Sequence, residues 1–161
     1  MKQKRRVIIL EGVDKTGKTT LAEILLKKYP GAILIKQNRK SLPNLKEVFR
    51  KMLKVLSDLP GEGPIILDRF YPSQMVYSIL RDEEDLDNLF YKMFENILVQ
   101  HDSLAFEIIY CTADDKTIKR RFEEDNEEYV KQDQIALLKR RYETFIYDIT
   151  KLKYSIQDTS W

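Results

Sequence analysis

The chain has 161 residues, a length that suits one domain, predicted over residues 1–161, with a core of its own. Its 28 lysines and arginines against 26 aspartates and glutamates give a net charge of +2, which excludes the broad positive field that duplex DNA binding requires and leaves local phosphate sites open. The single cysteine, Cys111, excludes an internal disulfide and suits a reducing compartment.

The chain begins with a basic segment, residues 1–6, that is followed by the apolar run 7–10. Four apolar residues before Glu11 are too few for the hydrophobic part of a signal peptide or for a membrane span. We therefore expect a cytoplasmic protein with no membrane partner. The same four residues predict a buried parallel strand.

Directly after this strand, residues 12–19 read GVDKTGKT and match the phosphate-binding loop G-x-x-x-x-G-K-[ST]. Glycines at this spacing let backbone N–H groups turn inward around a polyphosphate, while Lys18 reaches the β and γ oxygens and the Thr19 hydroxyl binds Mg²⁺. The residues after this loop have helical periodicity, so the anion would lie at a helix N-terminus. The alternative is a chance match in a glycine turn, which this order of strand, loop and helix disfavours.

Apolar runs alternate with longer segments of helical periodicity along the rest of the chain. The runs lie at 7–10, 32–35, 65–67 and 104–111, and the helical segments at 18–29, 42–57, 72–100, 114–124 and 131–152. This alternation predicts an α/β fold, a parallel β-sheet flanked by helices on both faces.

A second group of chemically active residues follows the run 65–67, which ends in Asp68 and Arg69. Ligands of open α/β folds bind at the carboxyl ends of the strands, where these two residues fall. Asp68 would hold or orient the Mg²⁺ shell, and Arg69 would bind a phosphate through both guanidinium nitrogens. The alternative is an Asp-Arg pair that merely ends the strand.

A run of charged residues at 123–128 separates two helical patterns near the end of the chain. Such a run fits a solvated turn and equally a lid that closes over a site, predicted here around 122–133.

Together these motifs resemble the thymidylate kinase family of nucleoside monophosphate kinases, which has the P-loop kinase fold. The family motif E-G-x-D-x-x-G-K-[ST]-T stands here as Glu11, Gly12, Val13, Asp14, Lys15, Thr16, Gly17, Lys18, Thr19 and Thr20. Its second motif, D-R-[YFH]-x-x-S, stands as Asp68, Arg69, Phe70, Tyr71, Pro72 and Ser73. The resemblance implies that the loop residues bind ATP with Mg²⁺ and that Ser73 belongs to the acceptor site.

Two loop residues carry specific roles in that family. The resemblance implies that Asp14 accepts a hydrogen bond from the 3′-OH of the acceptor sugar. It also implies that Lys15 is the basic loop residue of eukaryotic and poxviral members, where it assists phosphoryl transfer.

Further matches extend the resemblance toward the acceptor. Arg39 follows the second strand, where the family has an arginine for the acceptor phosphate. Phe49 and Arg50 lie where the family stacks an aromatic ring on the base and bonds it with an arginine, although the helical spacing of Phe49 suits a core residue equally well. Tyr77, four residues after Ser73, matches the ring that crowds C2′ and excludes ribose.

The later part of the chain matches more loosely. Residues 106–111 and 114–121 resemble the fourth strand and the helix that leads to the lid, with Arg120 and Arg121 as candidates for the ATP-binding arginine or as solvated helix residues. The chain lacks the R-E-P-G-G sequence of bacterial members and the terminal helix of many relatives. This trimming predicts a viral or phage enzyme.

The resemblance implies ATP- and Mg²⁺-dependent phosphorylation of a deoxynucleoside monophosphate, dTMP or a 5-substituted dUMP, to the diphosphate. Lys18, Lys15, Arg69, Asp68 and Asp14 are then the catalytic residues, with Thr19 and Asp68 at the metal. Three alternatives stay open: a nucleoside kinase, a kinase of a modified base in DNA such as hydroxymethyluracil, and a nucleotide-binding module without turnover. The oligomeric state, a homodimer included, also stays open.

Overall fold

The computed structural model describes residues 3–36, 45–81, 88–125 and 132–160. The strands are β1 (Arg5–Glu11), β2 (Ile33–Lys36), β3 (Ile65–Asp68), β4 (Leu104–Thr112) and β5 (Lys153–Asp158). The helices are α1 (Lys18–Lys28), α2 (Leu45–Asp58), α3 (Tyr71–Arg81), α4 (Asn88–Val99), α5 (Asp115–Glu124) and α6 (Gln132–Thr144), and a π-helical turn, Phe145–Ile149, continues α6.

The five strands form one parallel sheet in the order β2-β3-β1-β4-β5. β1 lies at the centre, where both faces are covered, and this explains why its sequence is a continuous apolar run rather than an alternating one. Val7 and Ile9 pack into one core cluster, while Ile8 and Leu10 pack into a second one with α1. The predicted α/β fold is therefore confirmed.

The order of the strands also places the two motifs side by side. In the pairing of β1 with β3, Leu10 lies opposite Asp68. The loop after β1 and the segment after β3 consequently leave the sheet at the same edge, as expected for parallel neighbours.

The predicted helical segment 72–100 is two helices in the structure, α3 and α4, separated by residues 82–87, which lie outside the described part. The predicted segment 131–152 ends earlier than its periodicity suggested. The π-helical turn finishes at Ile149, and Thr150 is already extended. Within the described residues, no helix is both long and apolar enough to cross a membrane.

Candidate active site

The loop between β1 and α1 has the backbone geometry of a phosphate cradle. Gly12 and Gly17 both have positive φ angles, 150° and 80°. A Cβ atom at Gly12 would collide with the carbonyl oxygen of Cys111, and one at Gly17 would lie 3.1 Å from the hydroxyl of Thr159. These two glycines are therefore required both by the turn and by the close approach of neighbouring chain.

Lys18, the first residue of α1, turns back over this loop. Its Nζ donates to the carbonyl oxygens of Gly12 and Val13, each at 3.0 Å. The side chain is almost completely buried, and this burial lowers the pKa of Lys18 to about 8, with the positive charge of Arg69 acting in the same direction. The ammonium group thus lies at the loop, where it can bind a polyphosphate.

A cavity of about 660 Å³ opens above the loop. It is lined by Asp14, Lys15, Gly17, Lys18, Thr19, Thr20, Asp68, Arg69, Arg121, Glu124 and Asp125. Residues from the two sequence motifs and from the end of α5 therefore meet in one place. Four cationic side chains in this lining suit a polyphosphate ligand.

Two oxygen-bearing side chains of this lining fit a magnesium ion. Mg²⁺ prefers hard oxygen ligands, and in phosphoryl-transfer sites it binds through one or two protein groups plus the phosphates of the substrate. The hydroxyl of Thr19 and the carboxylate of Asp68 line the cavity together with Lys18. This donor set suits the metal that the sequence predicts.

Arg69 makes four side-chain hydrogen bonds to described residues of the site. Its φ of 73° lies in the left-handed region, which is uncommon for a residue with a side chain. Nη1 donates to the hydroxyls of Ser73 at 3.2 Å and Tyr142 at 3.0 Å. Nη2 donates to Asp14 Oδ1 at 2.8 Å and to the Tyr77 hydroxyl at 3.3 Å. The structure thus brings together Asp14, Arg69, Ser73 and Tyr77.

Glu11 and Tyr142 belong to this cluster, although no role was predicted for either. Glu11 is fully buried, and desolvation raises its pKa against the opposing charge of Arg69. Its carboxylate accepts from Phe70 N–H, from the Ser73 hydroxyl and from the Tyr142 hydroxyl. Glu11 is part of the first motif, so the sequence could have marked it as a site residue. Tyr142 lies 131 residues further along the chain, and no local spacing marks it.

The end of α5 contacts the loop from the other side. Lys15 forms an ion pair with Asp125 at 2.5 Å, and its ammonium lies 5.6 Å from the centre of the Phe122 ring. Arg121 donates to the carbonyl oxygens of Lys15 and Thr159. Asp125 belongs to the segment 122–133 that was predicted as a lid, whereas Thr159 is a residue of this site that the sequence did not single out.

The two arginine candidates of α5 differ in position. Arg121 lines the cavity, whereas Arg120 is exposed and pairs with Glu124 at 3.5 Å. Among the residues that the structure describes, Arg121 is thus the candidate that reaches the phosphate cradle, and its contact with ATP remains a prediction.

The residues predicted at the acceptor base do not line this cavity in the described part of the chain. Phe49 is 4% exposed and packs against Phe70 and Phe94, so the structure gives it the core position that its helical spacing allowed. Arg50 lines a separate cavity of about 190 Å³ between α2 and α4. Arg39 lies outside the described residues, and so do residues 126–131 of the predicted lid.

The fold and this site define a P-loop kinase, a phosphotransferase that binds nucleotides. Within that class the chain is similar in sequence to a thymidylate kinase. It is 29% identical over 136 residues, 71% of this chain and 69% of the relative, to the thymidylate kinase of Campylobacter concisus (strain 13826). The resemblance drawn from the motifs is thereby confirmed. No protein-family model matches the chain.

Solved structures share the fold over most of their length. The Bacillus subtilis YorR protein, crystallised in complex with phosphorylated GDP, is 26% identical with a TM-score of 0.76, covering 95% of this chain and 85% of that one. The Candida albicans thymidylate kinase is 22% identical with a TM-score of 0.63, covering 98% and 84%. The deoxyadenosine kinase of M. mycoides is 20% identical with a TM-score of 0.59, covering 94% and 90%.

Proposed function

We propose that the protein transfers the γ-phosphoryl group of ATP to the phosphate of a deoxynucleoside monophosphate, dTMP or a 5-substituted dUMP. The observation that carries the proposal is the cluster of Asp14, Arg69 and Tyr77 beside the phosphate cradle. An arginine at this place can bind an acceptor phosphate, and a carboxylate with an aromatic ring beside it can select a sugar. The similarity to a thymidylate kinase supports the same acceptor.

On the donor side, the loop N–H groups and Lys18 bind the polyphosphate of ATP at the start of α1. Thr19 and Asp68 would hold Mg²⁺, which when bound would neutralise charge on the phosphate oxygens. Lys15 adds positive charge at the transferred group once ATP has separated it from Asp125. Arg121, fixed to the backbone of Lys15, contacts the donor from the α5 side.

On the acceptor side, Arg69 presents Nη2 toward the cavity, where Asp14 now occupies it. An acceptor phosphate replaces Asp14 on this nitrogen, and the carboxylate is then available to the 3′-OH of the sugar. Arg39 is proposed to bind the same phosphate. Tyr77 is 5% exposed and bonded to Arg69, so its ring is fixed in position. It is proposed to crowd C2′ of the sugar and to exclude a ribose 2′-OH.

The reaction needs no nucleophile from the protein. An oxygen of the acceptor phosphate attacks the γ-phosphorus in line, the new P–O bond forms, and the bond from the γ-phosphorus to the bridging oxygen breaks, so that ADP leaves with the electron pair. The protein contributes alignment through Arg69 and charge neutralisation through Lys18 and Lys15.

The acceptor base is proposed from the similarity to a thymidylate kinase, since Phe49 is a core residue and Arg50 lines another cavity. A guanine nucleotide is therefore the second candidate for the acceptor. The complex of the YorR protein with phosphorylated GDP favours it. A homodimer and a cytoplasmic location remain predictions from the sequence.

A substrate panel tests the proposed function. The protein is incubated with ATP, Mg²⁺ and, separately, nucleosides, ribo- and deoxyribonucleoside monophosphates, GDP, and DNA with and without modified bases, and the products are separated by ion exchange. We expect transfer to dTMP and much slower transfer to UMP. Transfer to nucleosides or DNA alone, or no transfer at all, would contradict the proposal, and a preference for guanine nucleotides would establish the second candidate.

Two variants serve as controls for that panel. Lys18→Ala should stay folded and lose turnover by orders of magnitude, because the charge aimed at the transferred group is gone. Asp14→Asn should bind ATP at least as tightly as the unmodified chain does but lose about 1.5–3 kcal/mol in transfer to dTMP, the value of a charge-assisted hydrogen bond. Calorimetry and initial rates on the same preparations separate the two effects.

A further inference from the structure

Glu11 lies at the end of β1 with no exposed surface, yet it carries a carboxylate. A buried carboxylate is costly unless several donors compensate it. Phe70 N–H donates to Oε1 at 2.7 Å, while the hydroxyls of Ser73 and Tyr142 donate to Oε2 at 2.5 and 2.9 Å. All three donors belong to segments that surround Arg69, so the carboxylate organises the arginine rather than the loop.

The two hydroxyls connect Glu11 to the guanidinium of Arg69. Arginine can only donate hydrogen bonds, and an ionised carboxylate can only accept them. Ser73 and Tyr142 therefore donate their single hydroxyl hydrogens to Glu11 and accept from Nη1 of Arg69, at 3.2 and 3.0 Å. The directions of these four hydrogen bonds are thus determined by the two charges at their ends.

The backbone of Arg69 is held from the same cluster. A left-handed φ of 73° in a residue with a side chain persists only when its surroundings compensate the strain. Arg69 N–H bonds Leu10 O at 3.0 Å, and the next N–H, that of Phe70, bonds Glu11. The two residues at the end of β1 therefore hold this backbone from both sides.

As a result, the two terminal nitrogens of the Arg69 guanidinium, Nη1 and Nη2, have different partners. Nη1 is bound inside the protein, whereas Nη2 bonds Asp14, which lines the cavity, and the hydroxyl of the buried Tyr77. The Arg69 side chain is 14% exposed and the Asp14 side chain 61%, so the outer edge of the arginine is the part that a ligand can reach.

Tyr142 brings α6 into this arrangement. It is fully buried, and its ring packs against Tyr110 at 5.7 Å and Tyr77 at 6.3 Å between centres. Since the ring is held by its aromatic neighbours, a phenylalanine at this position keeps the packing and loses only the hydroxyl.

We propose that Tyr142 is a positioning residue for phosphoryl transfer, which together with Glu11 and Ser73 holds Nη1 of Arg69 so that Nη2 faces the acceptor phosphate. The proposal rests on the proposed function for the role of Arg69. Tyr142 lies on α6, outside the two sequence motifs, so α6 also contributes to acceptor binding.

The first test compares Tyr142→Phe with Tyr110→Phe. Tyr110 is also buried, and among the described residues its hydroxyl makes no hydrogen bond to Glu11 or Arg69. We expect Tyr142→Phe to lower kcat/KM for the acceptor by about 10- to 100-fold, the loss typical of a slightly misplaced binding group, with the KM for ATP within twofold. Tyr110→Phe should change neither. Equal behaviour of the two variants, or a loss shared by ATP, overturns the proposal.

A double-mutant cycle with Arg69→Ala shows whether Tyr142 acts through the arginine. In the Arg69→Ala background, Tyr142→Phe should cause no further loss in transfer to the acceptor. A full additional loss in that background overturns the positioning role and leaves the proposed function intact. If Tyr142→Phe does not fold, Ser73→Ala removes the other connecting hydroxyl and should give the same selective loss, and a loss that includes ATP then overturns the proposal.

A measurement without turnover separates this proposal from the proposed function. Side-chain NMR of the Arg69 guanidinium should show slow rotation of the Nη groups in the unmodified protein and faster rotation in Tyr142→Phe, with Tyr110→Phe unchanged. Fast rotation already in the unmodified protein overturns the positioning role, whatever the substrate panel gives. Slow rotation with no transfer to any nucleoside monophosphate leaves the positioning of Arg69 standing and overturns the proposed function.

Discussion

The ammonium group of Lys18 rests on two backbone carbonyls of the loop that it completes. Carbonyl dipoles compensate its charge less well than phosphates do, and burial accordingly lowers the pKa of Lys18 to about 8. A bound polyphosphate surrounds the same group with negative charge and raises its pKa again. Nucleotide binding and protonation of Lys18 are therefore linked.

This linkage predicts proton uptake when ATP binds in mildly alkaline solution. At about pH 9, a group with a pKa of about 8 is mostly neutral, and binding that restores a pKa of about 10.5 or more takes up about 0.9 of a proton. The affinity for ATP should consequently fall as the pH rises above 8. Calorimetry in two buffers of different ionisation enthalpy measures the uptake, and Lys18→Ala should abolish it. Binding without proton uptake would show that Lys18 is already charged before ATP arrives.

At the scale of the elements, α5 is attached to the phosphate loop by side chains that the nucleotide has to rearrange. Lys15 has a φ of 65° and points its ammonium at Asp125, the residue that ends α5. Arg121 holds the backbone of the same loop residue. Because Asp125 lines the cavity where phosphates are expected, its carboxylate competes with them for Lys15.

Neutralising Asp125 should therefore strengthen ATP binding. The pair is partly exposed, with side-chain exposures of 21% for Lys15 and 55% for Asp125, so the gain in Asp125→Asn is about twofold to fivefold in Kd, the range of a surface ion pair. Asp115→Asn is the matched control, since Asp115 pairs with Lys139 at the other end of α5 and does not line the cavity in the described residues. Equal ATP affinities for the two variants, measured by calorimetry, would refute the competition.

At the scale of the whole molecule, the sequence predicted the sheet better than it predicted the helix ends. Central parallel strands are buried on both faces and therefore stand out as continuous apolar runs, as in β1 and β3. Helical periodicity depends on neighbouring residues and does not predict where a helix ends. For this reason the segment 72–100 was predicted as continuous, although it contains α3 and α4.

The site likewise has a part that the sequence predicted and a part that it did not. Asp14, Lys18, Asp68 and Arg69 stand in two short motifs, and the neighbouring carboxyl ends of β1 and β3 bring these motifs together as predicted. Their partners come from distant parts of the chain. Tyr142 bonds Glu11 across 131 residues and Thr159 bonds Thr16 across 143, and no spacing rule connects residues so far apart.

The burial of Glu11 makes the free energy of unfolding of the protein depend on pH. Desolvation raises its folded pKa above the ordinary value of 4.5, so the unfolded chain releases the proton first as the pH rises. The contribution of Glu11 to stability is then fully present below the unfolded pKa and is lost as the pH rises through the folded pKa. Glu11→Gln has no proton to release at this position.

The unmodified protein should therefore lose stability relative to Glu11→Gln as the pH is raised from about 4.5 toward neutrality. Urea unfolding of both proteins at a series of pH values gives the difference in free energy of unfolding directly. A difference that stays constant, or that moves in favour of the unmodified protein, would mean that Arg69 and the three donors outweigh desolvation. The carboxylate would then stabilise the fold as well as hold the arginine, instead of holding the arginine at the expense of stability.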